Sequence, residues 1–319
     1  IAGGLLDLLR GGPGTPDAER FAEVCTNSGK CIPACEDGVN PRFMVNMARI
    51  AVKERMGDEA VRHAAKSYFN TMNRSTRMIS RLLLPPEVHA RLNPPLLPDG
   101  DYAAEPPDIV FYAGCNVIKT PHIALLVLEV LDALDVRYEV MGGASTCCGI
   151  QHFKQGDAKI AGRIGFSTIE RLGRPGAARV ISWCPSCQIQ IGENVLPGRR
   201  AQQPDAFAFA MRPFLVWLAE HLDQLRPLMT RPVNKRVALH EHPGVAGVTE
   251  AAERILRAIP GLELVDLRQP SVGYMCNTLQ PLPAFKREVH RGILEAAAAA
   301  KVDALAGVYH ACHRELCSH

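Results

Sequence analysis

From Asp108 onward the chain alternates short apolar runs with stretches whose apolar residues return every three to four positions, the rhythm of strand–helix units around a parallel sheet. DIVFYAGC (108–115) reads as a strand, Thr120 and Pro121 as the N-cap and first residue of a helix through Leu134, and VRYEVMGG (136–143) as the next strand. A helix is predicted over DAKIAGRIGFSTIERLG (157–173) and a strand over ARVISWC (178–184). Upstream the texture is different. Phe43, Met44, Met47, Ile50 and Ala51 fall at helical spacing between Pro41 and Gly57, residues 59–83 also read as helix, and seven prolines between Pro85 and Pro107 mark a linker.

Shifting the sequence by 128 residues lays the first strand–helix unit onto the rest of the chain. KRVALHEHP (235–243) falls on the first strand, FKREVHRGILEAAAAA (285–300) on the long helix, and AGVYHAC (306–312) on the third strand. The expected organisation is therefore α/β with two similar halves. A small helical domain spans 1–84 and the proline-rich linker 85–107. The first half covers 108–200, a connecting amphipathic helix around PFLVWLAEHLDQL lies within 201–231, and the second half covers 232–319.

Composition narrows the function classes. Thirty-six Lys and Arg against 33 Asp and Glu give a net charge of +3, with 6% aromatics and no long basic run, so the footprint of a nucleic-acid binder is missing. The most apolar stretch, IALLVLEVLDAL, is interrupted by Glu129 and Asp132 and falls short of the ~18 consecutive apolar residues of a membrane span. The opening residues carry neither a basic region nor a cleavage-like end, so secretion is not expected; the missing initiator Met points to residues upstream. No GxGxxG fingerprint opens a helix, and AGCN and VMGG do not make one.

Eleven cysteines change the picture. Disulfide-dense proteins are mostly small and secreted, whereas 47% hydrophobic residues over 319 can supply ordinary cores, so metal binding in a reducing compartment, the cytoplasm, is the better reading. Five cysteines form C-x31-C-C-G-x34-C-x2-C: Cys115, Cys147, Cys148, Cys184 and Cys187, each group at or just past the carboxyl end of a predicted strand. Five thiolates exceed both the four positions of a tetrahedral zinc and the one-per-iron capacity of a cubane cluster. An unusual multinuclear iron–sulfur site is implied. Adjacent Cys147 and Cys148 can reach different irons, and Gly149 permits a tight turn with close backbone approach. Lys119, His122, His152 and Lys154 lie near the same strand ends, where they suit either an anionic thiol or disulfide, or plain solvation.

Two further groups carry metal-type residues. Cys25, Cys31 and Cys35 follow the ferredoxin run C-x2-C-x2-C-x3-C-P, with Ser28 in the place of the second Cys and Glu36 in that of the Pro. They suit a [3Fe-4S] cluster, or a [4Fe-4S] cluster completed by Ser28, water or an upstream ligand; a decayed loop without metal is the alternative. Through the 128-residue offset the five-cysteine site becomes Pro243, Met275, Cys276, Cys312 and Glu315, so only two thiols survive. Cys317 lies close by, as do His240, His242, His310 and His313. The expectation is a different cluster on Cys276, Cys312 and Cys317 with a histidine as fourth ligand; a zinc ion on the same ligands, or a decayed site, competes with it.

The C-x31-CCG-x34-C-x2-C unit resembles the cysteine-rich CCG domain of heterodisulfide reductase B and D subunits and of related iron–sulfur subunits. The resemblance covers nearly the whole chain and implies two Rossmann-like halves behind a ferredoxin-like N-terminus. It further implies a non-cubane [4Fe-4S] cluster on Cys115, Cys147, Cys148, Cys184 and Cys187, where a sulfur–sulfur bond is made or broken. It implies electrons supplied through an N-terminal cluster, flavin- or cluster-carrying partner subunits, a thiol or disulfide substrate, and membrane association only through a partner. The changes at Pro243, Met275 and Glu315 set aside a second cluster of that kind. A protein that only relays electrons between a dehydrogenase and a quinone or carrier is the alternative.

Overall fold

The computed structural model describes residues 1–95, 97, 105–204 and 209–318. The chain divides into two compact units, the first made of Ile1–Glu23 with Phe43–Arg212, the second of Val24–Arg42 with Pro213–His319. This partition differs from the expected domains. The helices assigned to a ferredoxin-like domain belong to the first unit, while the cysteine loop between them belongs to the second.

In the first unit a four-stranded sheet has the order β2-β1-β3-β4, with β1 Ile109–Gly114, β2 Tyr138–Gly142, β3 Arg179–Ser182 and β4 Ala210–Pro213. β1 runs parallel to both β2 and β3. All six residues of β1 are buried, as a central strand covered on both faces requires. Its Ile, Val and Phe side chains each contribute about 1.5–3 kcal/mol by leaving water. The register between β1 and β2 shifts after Tyr112, so the strand bends where the first cysteine follows.

Several helix starts are governed by local chemistry that the residue pattern only partly announces. Thr120 precedes the helix Pro121–Ala133 but does not cap it; its hydroxyl donates to the Val117 carbonyl at 3.1 Å. The helix expected over 157–173 forms as Ala158–Gly173, with Asp157 accepting the Ile160 amide at 3.1 Å, and a short helix that was not expected, Ile150–Lys154, precedes it. The helix Pro41–Glu54 forms as expected, yet it buries Val45, Asn46, Ala48 and Ile50 and leaves Phe43 exposed. The connecting segment forms two short helices, Phe214–Glu220 and Leu222–Leu225.

The second unit holds a three-stranded sheet of order β6-β5-β7, with β5 Arg236–His240, β6 Glu263–Val265 and β7 Ala304–Gly307, both pairings parallel. As in the first unit, the first strand in sequence lies in the middle. The loop 24–42 is tied to this unit by backbone-directed bonds. The buried Arg42 guanidinium donates to the carbonyls of Gly244 and Asn27, and Lys30 Nζ donates to that of Ser271. Among the described residues no helix is long and apolar enough to cross a membrane.

Two glycines on one helix face make the packing testable. A Cβ at Gly162 would meet nothing within 4 Å, whereas one at Gly165 would lie 2.6 Å from Val195 Cγ2. Gly162→Ala should therefore raise stability by about 0.5–1 kcal/mol through helix propensity. Gly165→Ala should lower it by about 1–3 kcal/mol through overpacking against a stiff β-branched side chain. Urea midpoints of the two variants provide the check; equal shifts of one sign would refute this packing.

Candidate metal centres

The five cysteines of the first unit gather at the carboxyl ends of β1, β2 and β3. Cys115 follows the last residue of β1 and is half-buried; Cys147, Cys148, Cys184 and Cys187 are buried. Neighbouring sulfurs perturb one another's ionisation, in the pairs Cys115–Cys147, Cys147–Cys148, Cys148–Cys187 and Cys184–Cys187. Sequence reasoning expected these five together, and the fold brings all of them into one group.

Two glycines allow this approach. Gly149 sits at φ +83° in the left-handed region, and a Cβ there would stand 2.5 Å from the Ala161 carbonyl oxygen. Backbone cannot yield as a flexible side chain can, so this turn requires glycine. Gly114, at φ +66°, closes β1; a Cβ on it would come within 3.2 Å of Cys187 Sγ. The CCG turn is held from below by hydroxyls: Tyr112 donates to Thr146 O at 2.6 Å, Thr146 to Gly142 O at 2.7 Å, and Thr168 to Cys147 O at 2.6 Å.

The electrostatics of this group are uneven. Cys147 is held well below the ordinary thiol range, first by the Cys115 and Cys148 thiols and then by the Gly149 amide, with His152 adding positive charge. Cys184 is also lowered, by the Cys187 thiol and by the amides of Cys187 and Ser186 at the start of the helix Pro185–Ile189. Cys115, Cys148 and Cys187 are pushed up, each first by the adjacent cysteine sulfur, to which its thiol donates, and then by burial. The protein thus provides donors for two thiolates and none sufficient for five. An uncompensated buried charge costs several kcal/mol, so full deprotonation requires cations within the group. A multinuclear thiolate-bound metal cluster fits this donor set.

Of the two readings of His152, plain solvation does not hold. It is buried, its Nδ1 lies 3.4 Å from Asp157 Oδ2, and its ring stands 5.4 Å from that of Phe69. Lys119 Nζ donates to Ser75 Oγ at 2.7 Å, and His122 is exposed. Sequence reasoning did not single out Tyr112 or Asp157. Tyr112 falls three residues before Cys115 in a strand otherwise aliphatic or small except for Phe111, which was the available hint.

The second unit brings a different set together. His240, His242, Cys276 and Cys312 are all buried, and their ligand atoms lie within 4.8 Å of one another. His240 is the last residue of β5, Cys276 opens a turn of 3₁₀ helix, Cys276–Leu279, and Cys312 lies in the first turn of the helix His310–Leu316. Cys312 is held well below the ordinary range: burial opposes this, but hydrogen bonds from Cys276, His240 and His242 prevail. Cys276 is pushed up, first by Cys312 and then by burial. The expected grouping is corrected in one respect. Cys317 is exposed, with its Sγ 3.6 Å from His313 Nδ1, outside the four; His310 is buried nearby but is not among them.

Cys25 directly follows the helix ending at Val24, and Cys31 and Cys35 lie on the turns that follow Gly29; Cys31 is exposed and the other two half-buried, with Ser28 between Cys25 and Cys31. The structure does not group these residues with either set above.

Residues 109–192 match the cysteine-rich domain family CCG. The matched segment contains all five thiols of the first unit and stops short of the second. The chain is 25% identical over 255 residues, 76% of its length, to the D subunit of dihydromethanophenazine:CoB–CoM heterodisulfide reductase from Methanosarcina mazei, of which it covers 58%. It is 23% identical over 258 residues to the D subunit of the same enzyme from Methanosarcina barkeri, again covering 76% of this chain and 58% of the relative. Similarity to the B subunit of fumarate reductase (CoM/CoB) from Methanothermobacter marburgensis is 23% over 276 residues, 83% of this chain and 50% of the relative. The chain therefore spans little more than half the length of these curated relatives.

Two variants test the CCG centre. Cys148→Ala should remove iron bound by the first unit, read as metal content per purified chain; unchanged iron would refute its assignment as a ligand. Gly149→Ala should destabilise the protein by about 2 kcal/mol or more, because a non-glycine residue at positive φ costs roughly 1–3 kcal/mol before the clash is counted, as a shifted denaturation midpoint would show.

Proposed function

We propose that the chain is an iron–sulfur redox subunit of a heterodisulfide-reductase-like complex, with Cys115, Cys147, Cys148, Cys184 and Cys187 holding a non-cubane [4Fe-4S] cluster at which a sulfur–sulfur bond is made or broken. The observation that carries this reading is the group of five cysteines, four buried and Cys115 half-buried, at the carboxyl ends of strands of one parallel sheet. The names of the relatives, from two heterodisulfide reductases and a CoM/CoB-linked fumarate reductase, support thiol and disulfide substrates.

The reaction balances as RS–SR′ + 2 e⁻ + 2 H⁺ → RSH + R′SH, with electrons supplied by a flavin- or cluster-carrying partner through a cluster on Cys25, Cys31, Cys35 and Ser28. A thiolate-bound cluster supplies single electrons and an iron able to take substrate sulfur. The chain's own residues set the surroundings. The Gly149, Ser186 and Cys187 amides offset thiolate charge, and Lys154, close enough to favour the charged form of Cys184, suits an anionic thiol. His152, with Nδ1 committed to Asp157, keeps Nε2 to carry a proton to a departing thiolate.

Electron paramagnetic resonance of the oxidised 319-residue chain with and without excess thiol tests this proposal. A changed spectrum at saturating thiol, abolished in Cys148→Ala, is the expected result. A spectrum indifferent to thiol would make the chain a relay of electrons only.

A further inference from the structure

We propose that the second unit binds a single tetrahedral metal ion, zinc, on His240, His242, Cys276 and Cys312. His240 Nε2 lies 3.1 Å and His242 Nε2 3.6 Å from Cys276 Sγ, and all four ligand atoms fall within 4.8 Å of one another. A tetrahedral ion with metal–sulfur bonds near 2.3 Å and metal–nitrogen bonds near 2.0–2.1 Å sets its ligand atoms about 3.3–3.8 Å apart. An iron–sulfur cluster, whether it takes one ligand per iron as a cubane does or two per iron as a two-iron cluster does, spreads its ligands around several metals, so it needs a wider ring. Mixed S₂N₂ donors in so small a space select the single ion.

The surrounding groups agree. The four side chains are 3%, 2%, 0% and 0% exposed, so no open coordination position faces solvent. His242 Nδ1–H donates to the Val272 carbonyl at 2.6 Å, which leaves the Nε2 lone pair for a metal; such outer hydrogen bonds orient metal-binding imidazoles. Tyr309 stacks on the same ring, with centroids 6.4 Å apart. The five-thiol arrangement of the first unit does not fit here. Met275 stands in one of its positions, and Glu315, in another, is paired with Lys286. Cys317 lies outside the set.

Four protein ligands in a buried position make a closed site, whose work is to hold chain segments together. These four tie the end of β5, the turn at Cys276 and the helix His310–Leu316, in a unit with only a three-stranded sheet.

Metal analysis of the anaerobically purified full chain should find about one zinc per chain beside the iron. Zinc-edge X-ray absorption of the unsubstituted protein should report two sulfur and two nitrogen neighbours. Cys276→Ser and Cys312→Ser should each reduce zinc at least tenfold while iron stays unchanged, and Cys317→Ser should leave zinc in place. Should the ligand variants fail to fold, the absorption measurement still decides. A site without zinc, four sulfur neighbours, or iron backscattering would overturn the proposal. The readout is zinc, so its failure is separable from that of the thiol-responsive centre in the first unit.

Discussion

The constraint on which the first unit depends is the cost of ionising several thiols inside protein. Five sulfurs share one buried space at the ends of three strands, and each thiolate formed there raises the price of the next. The backbone answers twice, with the Gly149 amide at Cys147 and the helix start at Cys184. In the proposed cluster, metal charge supplies what remains. The glycines at 114 and 149, the hydroxyls of Tyr112 and Thr168, and the bend in β1 all bring sulfur close enough to share that charge.

Much of this was legible in the residue pattern because it rests on local rules. A strand reads from its apolar run, a CCG turn from its glycine, and convergence from the placement of ligands at strand ends in parallel sheets. The domain partition was not legible. Helix periodicity located residues 41–54 and 58–83 but says nothing of which neighbour covers them, and the buried face of Pro41–Glu54 is Val45, Asn46, Ala48 and Ile50 instead of the stripe containing Phe43. The loop 24–42 follows the second unit through Arg42 and Lys30 bonds to backbone carbonyls, contacts that no apolar pattern encodes.

Cys317 shows why spacing alone misled at the second centre. In the first unit Cys184 and Cys187 are three apart around a helix start and share a face. Cys312 and Cys317 are five apart along the helix His310–Leu316 and its cap, which turns the second by about 140° from the first at 3.6 residues per turn. One thiol enters the core and the other meets solvent. His240, the last residue of β5, and His242, two residues beyond it, both bring Nε2 to Cys276 Sγ.

The two centres therefore diverge by ligand count and spread, from similar scaffolds. Each sheet places its first strand centrally and supplies its metal-type residues from the carboxyl ends of strands and the turns beyond them. Replacing thiols by Met275 and Glu315 removes the sulfur needed for a multinuclear group, and two histidines from β5 and its exit fill the space with donors that reach a single point. A closed, four-ligand centre has no position left for substrate. On the proposed reading, chemistry on sulfur belongs to the first unit, where Cys115 is the half-buried member of the five and gives the group an edge toward solvent.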